Sequence, residues 1–152
     1  MNRKLLLILI LISLFSITAV SAFSFDDLFG SGENQTVEVD GIEFNVPAGY
    51  SENATQEIIN QQQSVGGVNY VTNGKFYYSG LTTVLLYVAS YDGYKVDESI
   101  VEAVGGNATT INGVDGYLDY GGGYYSFNYP KDDKLVVITT NDKDVIGDFI
   151  IP

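Results

Sequence analysis

Apolar and polar residues alternate with a period of two along much of this chain, the pattern of strands that turn one face to a core. From Thr36 to Val46, the residues Val37, Val39, Ile42, Phe44 and Val46 alternate with polar ones around Asp40-Gly41, a dipeptide suited to a two-residue hairpin turn. Pro47 ends that strand. Over Ser51 to Gln63 the period changes: Ala54, Ile58 and Ile59 make one stripe, and Asn53 with Gln56 imitates a capping box, which predicts a short helix. Val68 to Ser79 reads as a second hairpin turning at Asn73-Gly74, and Leu81 to Ser90 as a further strand. Asp97 is expected to cap a helix over Glu98 to Val104 that points Ile100, Val101 and Val104 inward and stops at Gly105-Gly106.

The stretch from Thr109 to Thr140 holds the densest strand signals. Asn112-Gly113 predicts a hairpin pairing Thr109 to Ile111 with Val114 to Tyr120, and Gly121-Gly122-Gly123 predicts the next turn. Along Tyr124 to Tyr129, Tyr125, Phe127 and Tyr129 share one face, while Tyr124, Ser126 and Asn128 share the other, expected to be wet. After a polar turn at Pro130 to Asp133, Leu135 to Ile138 is apolar on both faces and is expected to be the central strand. Asn141 or Asp142 starts a last helical turn or two, with Val145, Ile146, Phe149 and Ile150 as its packed face. The fold class that follows is α+β: a mainly antiparallel sheet with two or three short covering helices, after an N-terminal signal segment. No period of about 20 to 50 residues repeats, which argues against a solenoid or propeller.

The N-terminus adds a compartment. Arg3 and Lys4 precede an uncharged apolar run from Leu5 to Val20, and Val20-Ser21-Ala22 fits a signal-peptidase site with cleavage after Ala22. The charge-free stretch runs on to Phe25, close to the roughly 20 residues that span a bilayer, so an uncleaved signal anchor is the alternative. Either way the remainder is translocated, to the cell surface or the medium. The expected organisation is 1–22 as signal peptide or anchor, 23–35 as a flexible leader around Gly30-Ser31-Gly32, and 36–152 as one domain.

Composition then narrows the chemistry. With 152 residues, 45% hydrophobic and 17% charged, the chain has the make-up of one globular domain. Seven basic against 19 acidic residues give a net charge of −12; without Arg3 and Lys4 the balance is 5 against 19, or −14. Such a surface repels nucleic acid and anionic headgroups, so no nucleic-acid partner is expected and the membrane is touched only through the N-terminal segment. The chain has no Cys and no His. Disulfides, Ser-His-Asp and Cys-His catalysis, zinc sites with N or S ligands, and haem ligation by His or Cys are thereby excluded.

Carboxylate chemistry is what remains. A glycan hydrolase needs two carboxylates close together, but the spacing of 19 acids selects no pair. No catalytic, cofactor-binding or metal-ligating residue is therefore assigned. The run from Asp142 to Gly147 superficially resembles a calcium loop and fails it, since Ile146 stands at the fifth position and the twelfth lies past Pro152. Asp132, Asp133, Asp142 and Asp144 are read as caps and solvated turns, and Gly121 to Gly123 as a turn rather than a phosphate loop. Tyr77, Tyr78, Tyr117, Tyr120, Tyr124 and Tyr125 lie in strands, where they either pack within the sheet or form an aromatic face for sugars or peptides. Three N-x-[ST] sequons, at Asn34, Asn53 and Asn107, fall in or beside expected loops of an exported chain, the setting for N-glycosylation.

The segments GIEFNVPAGYSEN and TTINGVDGYLDYGGGYYSFNYPKDDKLVVITTND resemble small exported proteins of methanogenic archaea. At the level of fold alone, the G-x-x-F-x-x-P opening hairpin and the later N-G-x-x-G hairpin look like PsbP-type sandwiches. Both resemblances rest on turn and strand patterns, and neither brings functional residues with it. The expectation is an exported, non-enzymatic domain of interaction or envelope support, with an envelope glycan or surface protein as partner. A carboxylate-dependent glycan hydrolase is the alternative.

Overall fold

The computed structural model describes residues 32–152; the expected signal segment, and the expected leader as far as residue 31, lie outside them. The first hairpin forms where the alternation places it, as β1 (Gln35–Val39) and β2 (Ile42–Val46), with Asp40 and Gly41 at φ 49° and 77°. The other strands make one antiparallel sheet. They are β3 (Ser51–Glu52), β4 (Ile58–Val65), β5 (Val68–Ser79), β6 (Thr82–Tyr91), β7 (Asn107–Ile111), β8 (Val114–Gly121), β9 (Tyr124–Lys131) and β10 (Lys134–Thr140). Their order is β3-β5-β6-β10-β9-β8-β7, and β4 shares the edge of β5 with β3.

Two short helices cover the sheet. Helix α1 (Glu98–Val104) starts at Asp97, whose carboxylate accepts from the amide of Ile100 at 3.1 Å, and ends at Gly105. A single 3-10 turn (Lys143–Val145) leads into α2 (Ile146–Phe149). The β1–β2 hairpin and α2 pack on one face of the sheet, where Phe44, Phe127, Ile138 and Phe149 are fully buried. Helix α1 packs on the other, with Val101 against Leu135, Val137 and Tyr87. Strand β10, between β6 and β9, is therefore covered on both faces, and Leu135 to Ile138 are all buried, as a central strand requires.

Three expectations need correction. Residues 51 to 63 do not form a helix: β3 is followed by one 3-10 turn (Ala54–Gln56) and then by β4. The weak helical stripe loses to the open edge of β5, whose backbone groups β4 satisfies, with a bulge between Ile58 and Gln61. Asn53 still caps, accepting from the amide of Thr55. Asn73-Gly74 is not a turn either, because β5 runs straight through it and the chain reverses at Gly66-Gly67. Asn73 instead accepts from the amide of Asn60 at 2.7 Å, and a Cβ on Gly74 would sit 3.1 Å from the carbonyl oxygen of Leu86. Finally, the second face of β9 is wet only at Tyr124, at the hairpin end. Ser126 and Asn128 are buried on the face that α1 covers, with the Ser126 hydroxyl 3.1 Å from that of Thr139.

Candidate functional site

The pairing of β3 with β5 sets Glu52 opposite Tyr77 and brings together groups far apart in sequence. Lys75 Nζ lies 3.1 Å from Glu52 Oε1 and 3.7 Å from Glu57 Oε1. The Tyr77 hydroxyl donates to Glu52 Oε2 at 3.2 Å. Burial pushes the Tyr77 hydroxyl well above its ordinary value, and the negative charge of Glu52 adds to the effect. One ammonium thus holds two carboxylates, and the phenol remains a donor. Nothing local in the sequence selects these residues, since only the β3–β5 register sets Lys75 between the two acids.

The aspartates singled out in the sequence are scattered. Asp142 accepts from the amide of Asp144 at 3.1 Å and caps the last 3-10 turn. Asp132 and Asp133 form the β9–β10 turn at φ 50° and 63°, and Asp133 accepts from Lys95 Nζ at 2.7 Å. Among the described residues no three acidic side chains gather closely enough to hold a metal ion.

The tyrosines divide between packing and exposure. Tyr77 is buried, whereas Tyr120 and Tyr124 are exposed at the end of the β8–β9 hairpin, with the Tyr120 ring 4.6 Å from that of Tyr125. A second group escaped the sequence reading: Tyr87 and Tyr91, two rungs apart on β6, and Tyr70, which stacks on Tyr91 with ring centroids 5.5 Å apart. The signal was available, because Tyr87, Ala89 and Tyr91 alternate on one face. Tyr70 donates to Gln63 Oε1, and the Tyr91 hydroxyl is buried without a partner among the described residues.

The three sequons differ in what their side chains are doing. Asn53 is half-buried; its oxygen accepts from the amide and hydroxyl of Thr55, and its Nδ2 donates to Gln56. Asn34 is exposed and its oxygen accepts from the amide of Ala48 at 2.9 Å. Asn107 is exposed at the start of edge strand β7, and its carbonyl accepts from the Thr109 hydroxyl. A glycan bond consumes an Nδ2 proton and needs room, so occupancy is expected at Asn107 and Asn34 ahead of Asn53. Intact-mass and peptide mapping of protein from its own host reads this directly; a glycan on Asn53 alone would reverse the ranking.

A shallow recess of about 620 Å³ opens where the β4–β5 hairpin meets the end of β6, lined by Gln62, Gln63, Ser64, Asn69, Tyr70, Val71, Ser90, Tyr91 and Asp92. Compared with known proteins, the chain matches no protein-family model, no curated protein and no solved structure.

Proposed function

We propose that this chain is an exported cell-surface domain that works by contact, in interaction or envelope support, and not by turnover. The observation that carries this reading is the Lys75 bridge. A glycan hydrolase needs one carboxylic acid to give a proton and a carboxylate to act as base or nucleophile, each facing the scissile bond. Glu52 and Glu57 both turn toward one ammonium, and Tyr77 donates to Glu52. The group is built as a clamp between β3, the following turn and β5. Export rests on Arg3-Lys4, the apolar run and Ala22.

Two measurements test the reading. Purified protein incubated with envelope polysaccharide is expected to release no new reducing ends, and E52Q and E57Q should match the parent. Turnover that disappears in E52Q, with the circular dichroism spectrum unchanged, would establish the hydrolase instead. N-terminal sequencing of the native protein should begin at Phe23, while a start at Met1 or Asn2 in the membrane fraction would identify an anchor.

A further inference from the structure

The recess at the β4–β5–β6 corner is lined by two rungs of residues from one face of the sheet, with Gln63, Tyr70 and Tyr91 of the alternate positions completing it. In the first, Ser64 pairs with Asn69, whose carbonyl accepts the amide of Asp92 at 2.9 Å. In the second, Gln62 pairs with Val71, and Val71 with Ser90. Residues two apart on a strand share a face, so the Ser64 hydroxyl and the Asn69 amide stand beside Gln62, Val71 and Ser90 across β4, β5 and β6, and Asp92, in the turn just past β6, adds a carboxylate to the lining.

The chemistry of this lining is specific in kind. Its hydrogen-bonding groups are uncharged apart from Asp92, and no Lys or Arg contributes. The side chains of Gln62, Ser64, Asn69 and Asp92 have no partner among the described residues. Phosphate and carboxylate ligands are disfavoured, both here and by the net charge of the whole chain. Neutral polyhydroxylated ligands are favoured: amides offer donors and acceptors together, and a carboxylate accepts from neighbouring hydroxyls. The volume falls within the roughly 300 to 1,000 Å³ of small-molecule sites.

The site is also held in place. Ser90 donates to Asp40 Oδ2 at 2.5 Å, and Asp40 pairs with Lys134 Nζ at 3.1 Å, tying the rung to the β1–β2 turn and to β10. With its proton given to Asp40, the Ser90 hydroxyl is left in the lining as a held acceptor, so less ordering is required on binding. From these placements we infer that the recess is a binding site for a neutral saccharide, one to three units long. The inference deepens the reading of the chain as a contact domain and rests on it.

The test is a nuclear magnetic resonance titration of the isotope-labelled protein with cellotriose, chitotriose and mannotriose. Saturable shifts confined to the amides of residues 62–64, 69–71 and 90–92 are expected for at least one, with a dissociation constant of about 1 mM. N69A and D92A, at exposed positions that leave the core untouched, should each weaken binding about tenfold. Shifts absent for all three sugars, unchanged in both N69A and D92A, or reproduced by tetramethylammonium alone would overturn the proposal. Reducing ends released during the titration would instead remove the contact reading while leaving the position of the site intact, so the two failures are distinct.

Discussion

Raising the pH well above 10 is expected to unfold this protein cooperatively. Four tyrosine hydroxyls carry the effect. Burial alone raises Tyr129; burial raises Tyr87 more than its hydrogen bond with Thr72 lowers it; burial and the neighbouring Tyr87 and Tyr70 raise Tyr91; and burial with Glu52 raises Tyr77. Each folded-state value therefore lies above the 10.0 of an ordinary tyrosine. The unfolded chain releases these protons from pH 10 upward while the folded chain keeps them, so the contribution is fully present below pH 10 and is lost above it. Each group costs the folded state about 1.4 kcal/mol per pH unit in that window, and four together about 5.5 kcal/mol per pH unit. A whole domain has only about 5 to 15 kcal/mol to lose. Phenolate absorbance and circular dichroism followed in one titration should therefore change together, and Y129F should move the transition to higher pH. Complete ionisation of all tyrosines with the dichroism still native would show that these hydroxyls reach water in the folded state.

What could be read from the sequence divides along the range of the interactions. The β1–β2 turn at Asp40-Gly41, the cap of Asp97 on α1 and the doubly buried run Leu135 to Ile138 are set by residues within a few positions, and each forms as expected. Asn73-Gly74 misleads because a turn dipeptide is only a local preference, and β5 is held straight by partners on both sides, β4 and β6. Ser126 and Asn128 look wet because polarity marks them so. Their burial follows from α1 lying across that face, and Asn128 Oδ1 is left without a partner among the described residues. The same limit governs the candidate sites: the Lys75 bridge needs the β3–β5 register, and the rungs of the recess need the reversal at Gly66-Gly67. The sequons were visible as a motif, but the engagement of Asn53 with Thr55 and Gln56 was not.

The largest effect expected from a single methyl group is at Gly116. This buried residue lies within β8, where a Cβ would stand 2.5 Å from the carbonyl oxygen of Asn128 and 2.8 Å from Phe127 Cε2 and Cζ. Neither neighbour can withdraw easily. The carbonyl belongs to β9, held between β8 and β10, and the Phe127 ring is fully buried with its centroid 5.4 Å from that of Tyr129. G116A is thus expected to cost about 3 kcal/mol or more, lowering the melting midpoint by about 10 °C. On the same strand, Gly121 has no atom of the described residues within 4 Å of its Cβ position, so G121A should stay within about 0.5 kcal/mol of the parent. The pair separates steric contact from any general cost of a β-strand substitution. Adding F127L to G116A removes the ring contact but leaves the 2.5 Å approach to the Asn128 oxygen, so the double variant should recover only part of the loss. Full recovery would make the ring the sole obstacle. No difference between G116A and G121A would mean that β8 can move away from β9, and that the close approach at Gly116 does not hold the register of the two strands.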